Sequence, residues 1–263
     1  MKIREIIDAL EDFAPLALQD GFDNAGLQIG LPEDVDAAGV LLSLDVTEQV
    51  IDEAVSRGCN MVISHHPLLF HPLKSISGKT YVERCIIKAI RNGITVYASH
   101  TNLDNAPNGV NYKIAEKLNL RDLKWLEQKD NVDAGSVVVG SLDAPMRKDD
   151  FVALVKETFS VPCVRFNNWN GQIVQKVAVC GGSGAFLIPN AIKQEADAFI
   201  TVEIGYHRFF GYEDDLLLME IGHYESEQFT LDILQDVLND VLKDEKQCRV
   251  VKSQFISNPL MYK

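Results

Sequence analysis

The stretch from Gly39 to Pro67 reads GVLLSLDVTEQVIDEAVSRGCNMVISHHP. Gly39–Leu44 is a short apolar run of the kind that predicts a buried strand. Asp45-Val46-Thr47 ends it, and Thr47 followed by Glu48 opens a helix to about Arg57, with Gly58 as the stop. Cys59–Ser64 is a second buried strand, and it runs directly into His65-His66-Pro67. Strand, helix and strand in this order place the chain in the α/β class.

The same grammar continues outward. An irregular stretch to Gly78 precedes a helix near Thr80–Arg91, then Gly93 and a strand at Ile94–Ala98. That strand ends in Ser99-His100-Thr101-Asn102-Leu103-Asp104. Further on, Val177–Cys180 reads as a strand running into Gly181-Gly182-Ser183-Gly184. A helix at about Phe186–Glu195, the strand Ala198–Val202, a helical stretch near His207–Glu213 and the strand Leu216–Ile221 follow. The last ends in Gly222-His223-Tyr224-Glu225-Ser226-Glu227. Both third strands thus lead to the spacing His-x-x-x-acid, His100…Asp104 and His223…Glu227. The expectation is two α/β lobes related by internal duplication, residues 1–125 and 126–263, with a metal site between them. The C-terminal segment is expected to pack back on the first lobe.

The chain has 263 residues, 25 Lys+Arg against 38 Asp+Glu, and a formal net charge of −13. That balance argues against a protein that coats polymeric nucleic acid. No apolar run approaches the ~18–20 residues of a membrane-spanning helix. Ile3, Ile6, Ile7, Leu10 and Phe13 fall at helical spacing, which reads as an amphipathic helix and not as a signal peptide. Five dispersed cysteines without a C-x-x-C pair read as reduced core residues, so the expected compartment is the cytoplasm.

Chemistry concentrates at the strand ends, where α/β proteins bind their ligands. Adjacent histidines on a strand point to opposite faces, but where Pro67 stops the pleat, His65 and His66 can turn toward one opening. If Gly222 makes the strand-to-helix turn, His223 and Glu227 stand at i and i+4 on one helical face. Taken singly, each cluster has a plainer reading: a backbone-bonded histidine pair, acids at a helix start, and an Asx-type turn at Asn102–Asp104. Together they supply imidazoles and carboxylates, the mixed set that suits zinc, manganese or iron. Such ions would form a local anion site and lower the pKa of a bound water. Gly181–Gly184 reads equally as an anion cradle or a tight turn. Asp23–Gln28 reads by pattern only as a turn, and Tyr206-His207 as a proton donor or as packing.

With these motifs, the chain resembles the GTP cyclohydrolase I type 2 homologue family, dinuclear-metal proteins also named for an interacting factor three. The resemblance is carried by Asp23-Asn24-Ala25-Gly26-Leu27-Gln28, Ser64-His65-His66-Pro67, His100-Thr101-Asn102-Leu103-Asp104, Gly181–Gly184 and Gly222–Glu227. It implies the short form of the family, without an inserted domain, assembled as a toroidal homohexamer. It further implies two divalent metal ions held by His65, His66, Asp104, His223 and Glu227, with Asp104 or Glu227 bridging. His100 would lie close by without ligating; in a hydrolase it, or else Tyr206 or His207, is the expected proton donor. The chain departs from the family at Phe22, where Trp is frequent, and at Thr201-Val202-Glu203, where Thr-Gly-Asp is frequent. The family name points to GTP ring-opening hydrolysis, and the mixed ligand set and anion-attracting charge lead to the expectation of metal-dependent hydrolysis of a nucleotide-like or other small anionic substrate. The alternative is a non-catalytic, metal-bearing hexameric scaffold or regulatory binding protein.

Overall fold

Every residue of Gly39–Ser43, Met61–Ser64 and Thr95–Ala98 is buried, as strands covered on both faces must be. The fold is that of a computed structural model, which describes residues 1–129, 132–243 and 248–263. The chain begins with α1 (Ile3–Phe13), β1 (Gly26–Ile29), β2 (Gly39–Ser43), α2 (Glu48–Ser56) and β3 (Met61–Ser64). It continues through α3 (Tyr81–Arg91), β4 (Thr95–Ala98), α4 (Thr101–Asp104), α5 (Val110–Lys117), β5 (Arg121–Gln128) and β6 (Gly135–Arg147). Then come α6 (Lys148–Phe159), β7 (Arg165–Phe166), β8 (Ile173–Val179), α7 (Ile188–Lys193) and β9 (Ala198–Thr201). It closes with β10 (Leu217–Glu220), α8 (His223–Glu227), α9 (Thr230–Leu242) and β11 (Arg249–Lys252).

Two compact units result, Met1–Leu103 with Thr230–Met261, and Asp104–Phe229 with Tyr262–Lys263. The chain therefore divides after Leu103, where the sequence reading placed the break after residue 125. The C-terminal stretch belongs to the first unit because β11 pairs in parallel with β2, Val250 opposite Val40.

In the first unit the sheet order is β1-β4-β3-β2-β11, with β1 antiparallel and the others parallel. The helices joining β2, β3 and β4 start and stop where their residues dictate. Thr47 and Thr80 accept hydrogen bonds from the backbone N–H of Val50 and Glu83, satisfying donors that the first helical turn leaves open. Gly58 and Gly93, at φ +68° and +64°, take the left-handed turn beyond each helix. Leu41, Val62 and Val96 pack against Val50, Ile51, Ile86 and Ala89. Each fully buried aliphatic side chain contributes about 1.5–3 kcal/mol.

The second unit has the order β5-β6-β8-β9-β10-β7, with β8, β9 and β10 parallel and β7 antiparallel beyond β10. Ala178, Phe199 and Leu218 pack against Leu187, Ile188 and Ala191. In both units, then, three successive parallel strands lie side by side, and a short antiparallel strand that precedes them in sequence closes the edge beyond the third.

Of the cysteines, Cys59, Cys85 and Cys248 are buried, but Cys163 is exposed, unlike the core position expected for it. Burial pushes the Cys85 thiol up to about 11, so it stays protonated. Among the described residues, no helix is long and apolar enough to cross a membrane.

Candidate functional site

In the first unit the ladder carries on past the end of β3. The N–H of His65 reaches Ser43 O at 3.3 Å and that of His66 reaches Leu44 O at 2.9 Å. Pro67 has no N–H to continue it. The two rings lie with centroids 5.0 Å apart, and the His100 ring, just past β4, stands 5.3 and 5.5 Å from them. One nitrogen from each of the three lies within 4.8 Å of the others.

Neighbouring oxygens fix the tautomers. His65 Nδ1 meets Ser99 O at 2.8 Å; a carbonyl oxygen only accepts, so the proton of the neutral ring is on Nδ1 and the lone pair is on Nε2. His66 Nδ1 meets Asp45 Oδ1 at 2.8 Å, and His100 Nδ1 meets Asp23 Oδ1 at 2.7 Å. Both carboxylates are themselves held. Ser257 donates to Asp45 Oδ2 at 2.5 Å, while Asp23 accepts from the N–H of Thr101 at 3.0 Å, the Thr101 hydroxyl and the N–H of Asn24. Burial would raise the Asp23 pKa, but the hydrogen bonds from His100 and Thr101 and the charge of His100 outweigh it and hold Asp23 at about 2.

In the second unit Gly222 is the turn between β10 and α8, as the spacing predicts. His223 and Glu227 share one face of α8, with Nε2 3.2 Å from Oε2. His223 Nδ1 meets Glu203 Oε1 at 2.9 Å, so Glu203 is the acceptor for this ring. Glu227 is buried. Gly182, at φ +65°, makes room for it: a Cβ there would stand 2.5 Å from Glu227 Oε1.

The Gly181–Gly184 loop is a tight turn and not an anion cradle. Three of its N–H groups already donate within the unit: Gly181 to Asn111 Oδ1, Gly182 to Ser226 Oγ and Gly184 to Thr201 Oγ1. Asp104 is the last residue of α4; its Oδ1 is buried and its backbone oxygen accepts from Asn111 Nδ2. Tyr206 and His207 pack edge to face, and both lie against Phe210.

Sequence reasoning missed the roles of Asp45, Asp23 and Glu203 as holders of imidazole rings. Asp45 and Glu203 did carry a signal, since each is an acid just past a parallel strand. Asp23 carried no local signal beyond its turn pattern, only its place in the Asp23–Gln28 motif of the family resemblance.

The donor set fits a divalent ion. Imidazole nitrogen with carboxylate oxygen suits zinc, manganese or iron(II). Ligating histidines characteristically give their other ring N–H to a carboxylate or carbonyl, the arrangement of His65, His66 and His223.

Fold and side chains together define a mixed α/β protein with two sheets and His/Glu groups of the kind that hold metal. The chain belongs to the Duf34/NIF3 (NGG1p interacting factor 3) family, whose profile matches residues 1–259. The GTP cyclohydrolase 1 type 2 homolog of Clostridium perfringens is 36% identical over 230 residues, covering 86% of this chain and 87% of that protein. The protein of the same name from Clostridium acetobutylicum is 33% identical over 246 residues, covering 92% and 91%. The Staphylococcus aureus homologue aligns over 368 positions against the 263 residues here, so it carries a segment this chain lacks. Among solved structures, a Staphylococcus aureus hypothetical protein superposes with TM-score 0.92 at 30% identity, covering 100% of this chain and 99% of that one. A Bacillus cereus protein related to NIF3 superposes with TM-score 0.91 at 25% identity and the same coverage.

Proposed function

We propose that this protein is a metal-dependent hydrolase acting on a small anionic substrate, with a dinuclear centre held by His65, His66, Asp104, His223 and Glu227. The observation that carries the reading is the common arrangement of the imidazoles. Each presents Nε2 while an oxygen acceptor holds Nδ1, and three of them gather within 4.8 Å. Related proteins named GTP cyclohydrolase 1 type 2 homolog support a nucleotide-like substrate.

A divalent ion in this setting supplies Lewis acidity and lowers the pKa of water. The chain's own residues orient and move protons. Asp23 is ionised at neutral pH and fixes His100 with Nε2 presented for exchange, the pairing of an acid–base histidine with its orienting carboxylate. Asp45 and the backbone of Ser99 hold His66 and His65 in register for metal. The resemblance also supports a homohexamer, which sedimentation would measure.

The test is turnover of nucleoside triphosphates and phosphodiesters by metal-reconstituted protein, beside a chelator-treated control and His100→Gln. Metal-dependent turnover, cut at least a hundredfold in His100→Gln, is the expected result. Equal inertness with and without metal would overturn the hydrolase reading.

A further inference from the structure

The first unit also contains a cavity of about 1040 Å³, at the upper end of the range of small-molecule sites. Its walls include Leu31, Leu73, Ile76, Ile86, Ile90 and Ile94. Polar groups are few along it, Asp23, Asn24, Gln28, His71 and Thr95, and the two amides are occupied with each other and with Leu69. Asn24 Nδ2 donates to Leu69 O at 2.7 Å, the Leu69 N–H to Gln28 Oε1 at 3.0 Å, and Gln28 Nε2 to Asn24 O at 2.7 Å. Such walls offer little to a sugar or a phosphate and much to a hydrocarbon.

The cavity shares a wall with the histidine cluster. Asp23 lines it and accepts from His100. Phe70 lines it with its ring 6.2 Å from the His100 ring, and Phe22 stands edge-on to Phe70 at 6.4 Å. A molecule lying along this wall has its polar end at the imidazoles and its body among isoleucines and leucines.

We infer that the cavity is a subsite for the hydrocarbon body, alkyl or aryl, of a substrate whose anionic head reaches the His65–His66–His100 cluster. The inference rests on the proposed function for what happens to the head, while the body's binding depends on the cavity alone.

The experiment is calorimetric titration of metal-reconstituted protein with inorganic phosphate and with ethyl, butyl and hexyl phosphate. Affinity is expected to rise about fourfold for each added methylene. In Ile76→Gln/Ile90→Gln the series should flatten with metal content unchanged; both residues are largely exposed, at 55% and 61%, so the fold tolerates the change. The second arm uses chelator-treated protein and 1-anilinonaphthalene-8-sulfonate, whose fluorescence should saturate and be displaced by hexyl phosphate. If that arm succeeds while phosphate fails to bind the reconstituted protein, the metal reading falls and the subsite stands. A flat series in wild type together with no dye binding would overturn the inference. So would an unchanged slope in the double variant. A double variant that changes sedimenting mass while wild type binds no dye would overturn it in favour of a second copy covering the cavity.

Discussion

In the first unit β2, β3 and β4 run parallel with β1 antiparallel beyond β4; in the second, β8, β9 and β10 do the same with β7 beyond β10. The residues that follow matching strands differ. Past β3 stand His65 and His66, and past β9 stand Val202 and Glu203. Past β4 comes His100, whose ring is held by a buried aspartate, and past β10 comes His223, held by the exposed Glu203. The first unit thus gathers imidazoles beside an apolar cavity, while the second pairs one imidazole with a buried glutamate over a glycine turn. One strand plan serves two donor chemistries because the sheets set the positions and the loops choose the side chains.

The largest effects test whether the two sheets are equivalent scaffolds. Phe199→Ala in β9 should lower unfolding free energy by about 3–5 kcal/mol and Leu41→Ala in β2 by about 2–5 kcal/mol, read by urea denaturation; both side chains are fully buried. A loss below about 1 kcal/mol in either would break the comparison at its core.

The next contrast concerns the acids that orient the rings. Asp45→Asn should weaken metal binding by about tenfold to a hundredfold. Glu203→Gln, on a carboxylate 60% exposed, should weaken it by about threefold or less, since solvent competes for the bond. Competition with a chromogenic chelator measures both, and equal effects would erase the distinction.

Two glycines differ between the units in what surrounds them. Gly58 and Gly182 both have positive φ, +68° and +65°, so alanine at either should cost about 1–2 kcal/mol. An added Cβ at Gly58 meets nothing within 4 Å, whereas at Gly182 it displaces the Glu227 carboxylate. Only Gly182→Ala should therefore also reduce metal content.

The smallest effect separates the helix starts. In α3, Glu83 accepts from the Ser77 N–H, the Ser77 hydroxyl and the Lys79 N–H, which hold its carboxyl at about 2 against an ordinary 4.5. The α7 helix has no side-chain cap. A depressed carboxyl stabilises the fold fully above its unfolded value and loses that contribution as pH falls through the folded one. The stability gap between wild type and Glu83→Gln should therefore be widest above pH 4.5 and close toward pH 2. A gap constant with pH would contradict the assignment.

The parallel core of both units was legible because a strand buried on both faces reads as an unbroken apolar run, as in Val40–Leu42 and Ala198–Ile200. The helices α2 and α3 were legible because Thr47, Thr80, Gly58 and Gly93 mark their ends. Other elements lacked such marks. β5 is exposed along most of its length, so Arg121–Gln128 shows no alternation, and β11 is held mainly by its pairing with β2. The helix α7 is followed by Glu195 in the left-handed region at φ +56°, a place where sequence reading looks for glycine. At the site, His65, His66, His223 and Glu227 stood out because each follows a buried strand. Asp23 and His100 stand 77 positions apart in the chain, a contact that no local pattern encodes.

Everything proposed for this site depends on these side chains holding metal. The most direct test is metal content per chain by plasma mass spectrometry, on protein dialysed without chelator, beside His65→Ala/Glu227→Ala. About two divalent ions per wild-type chain are expected, as a dinuclear centre requires, with their loss in the folded variant. Wild-type protein that stays metal-free after reconstitution, or a variant that retains the full complement, would contradict it.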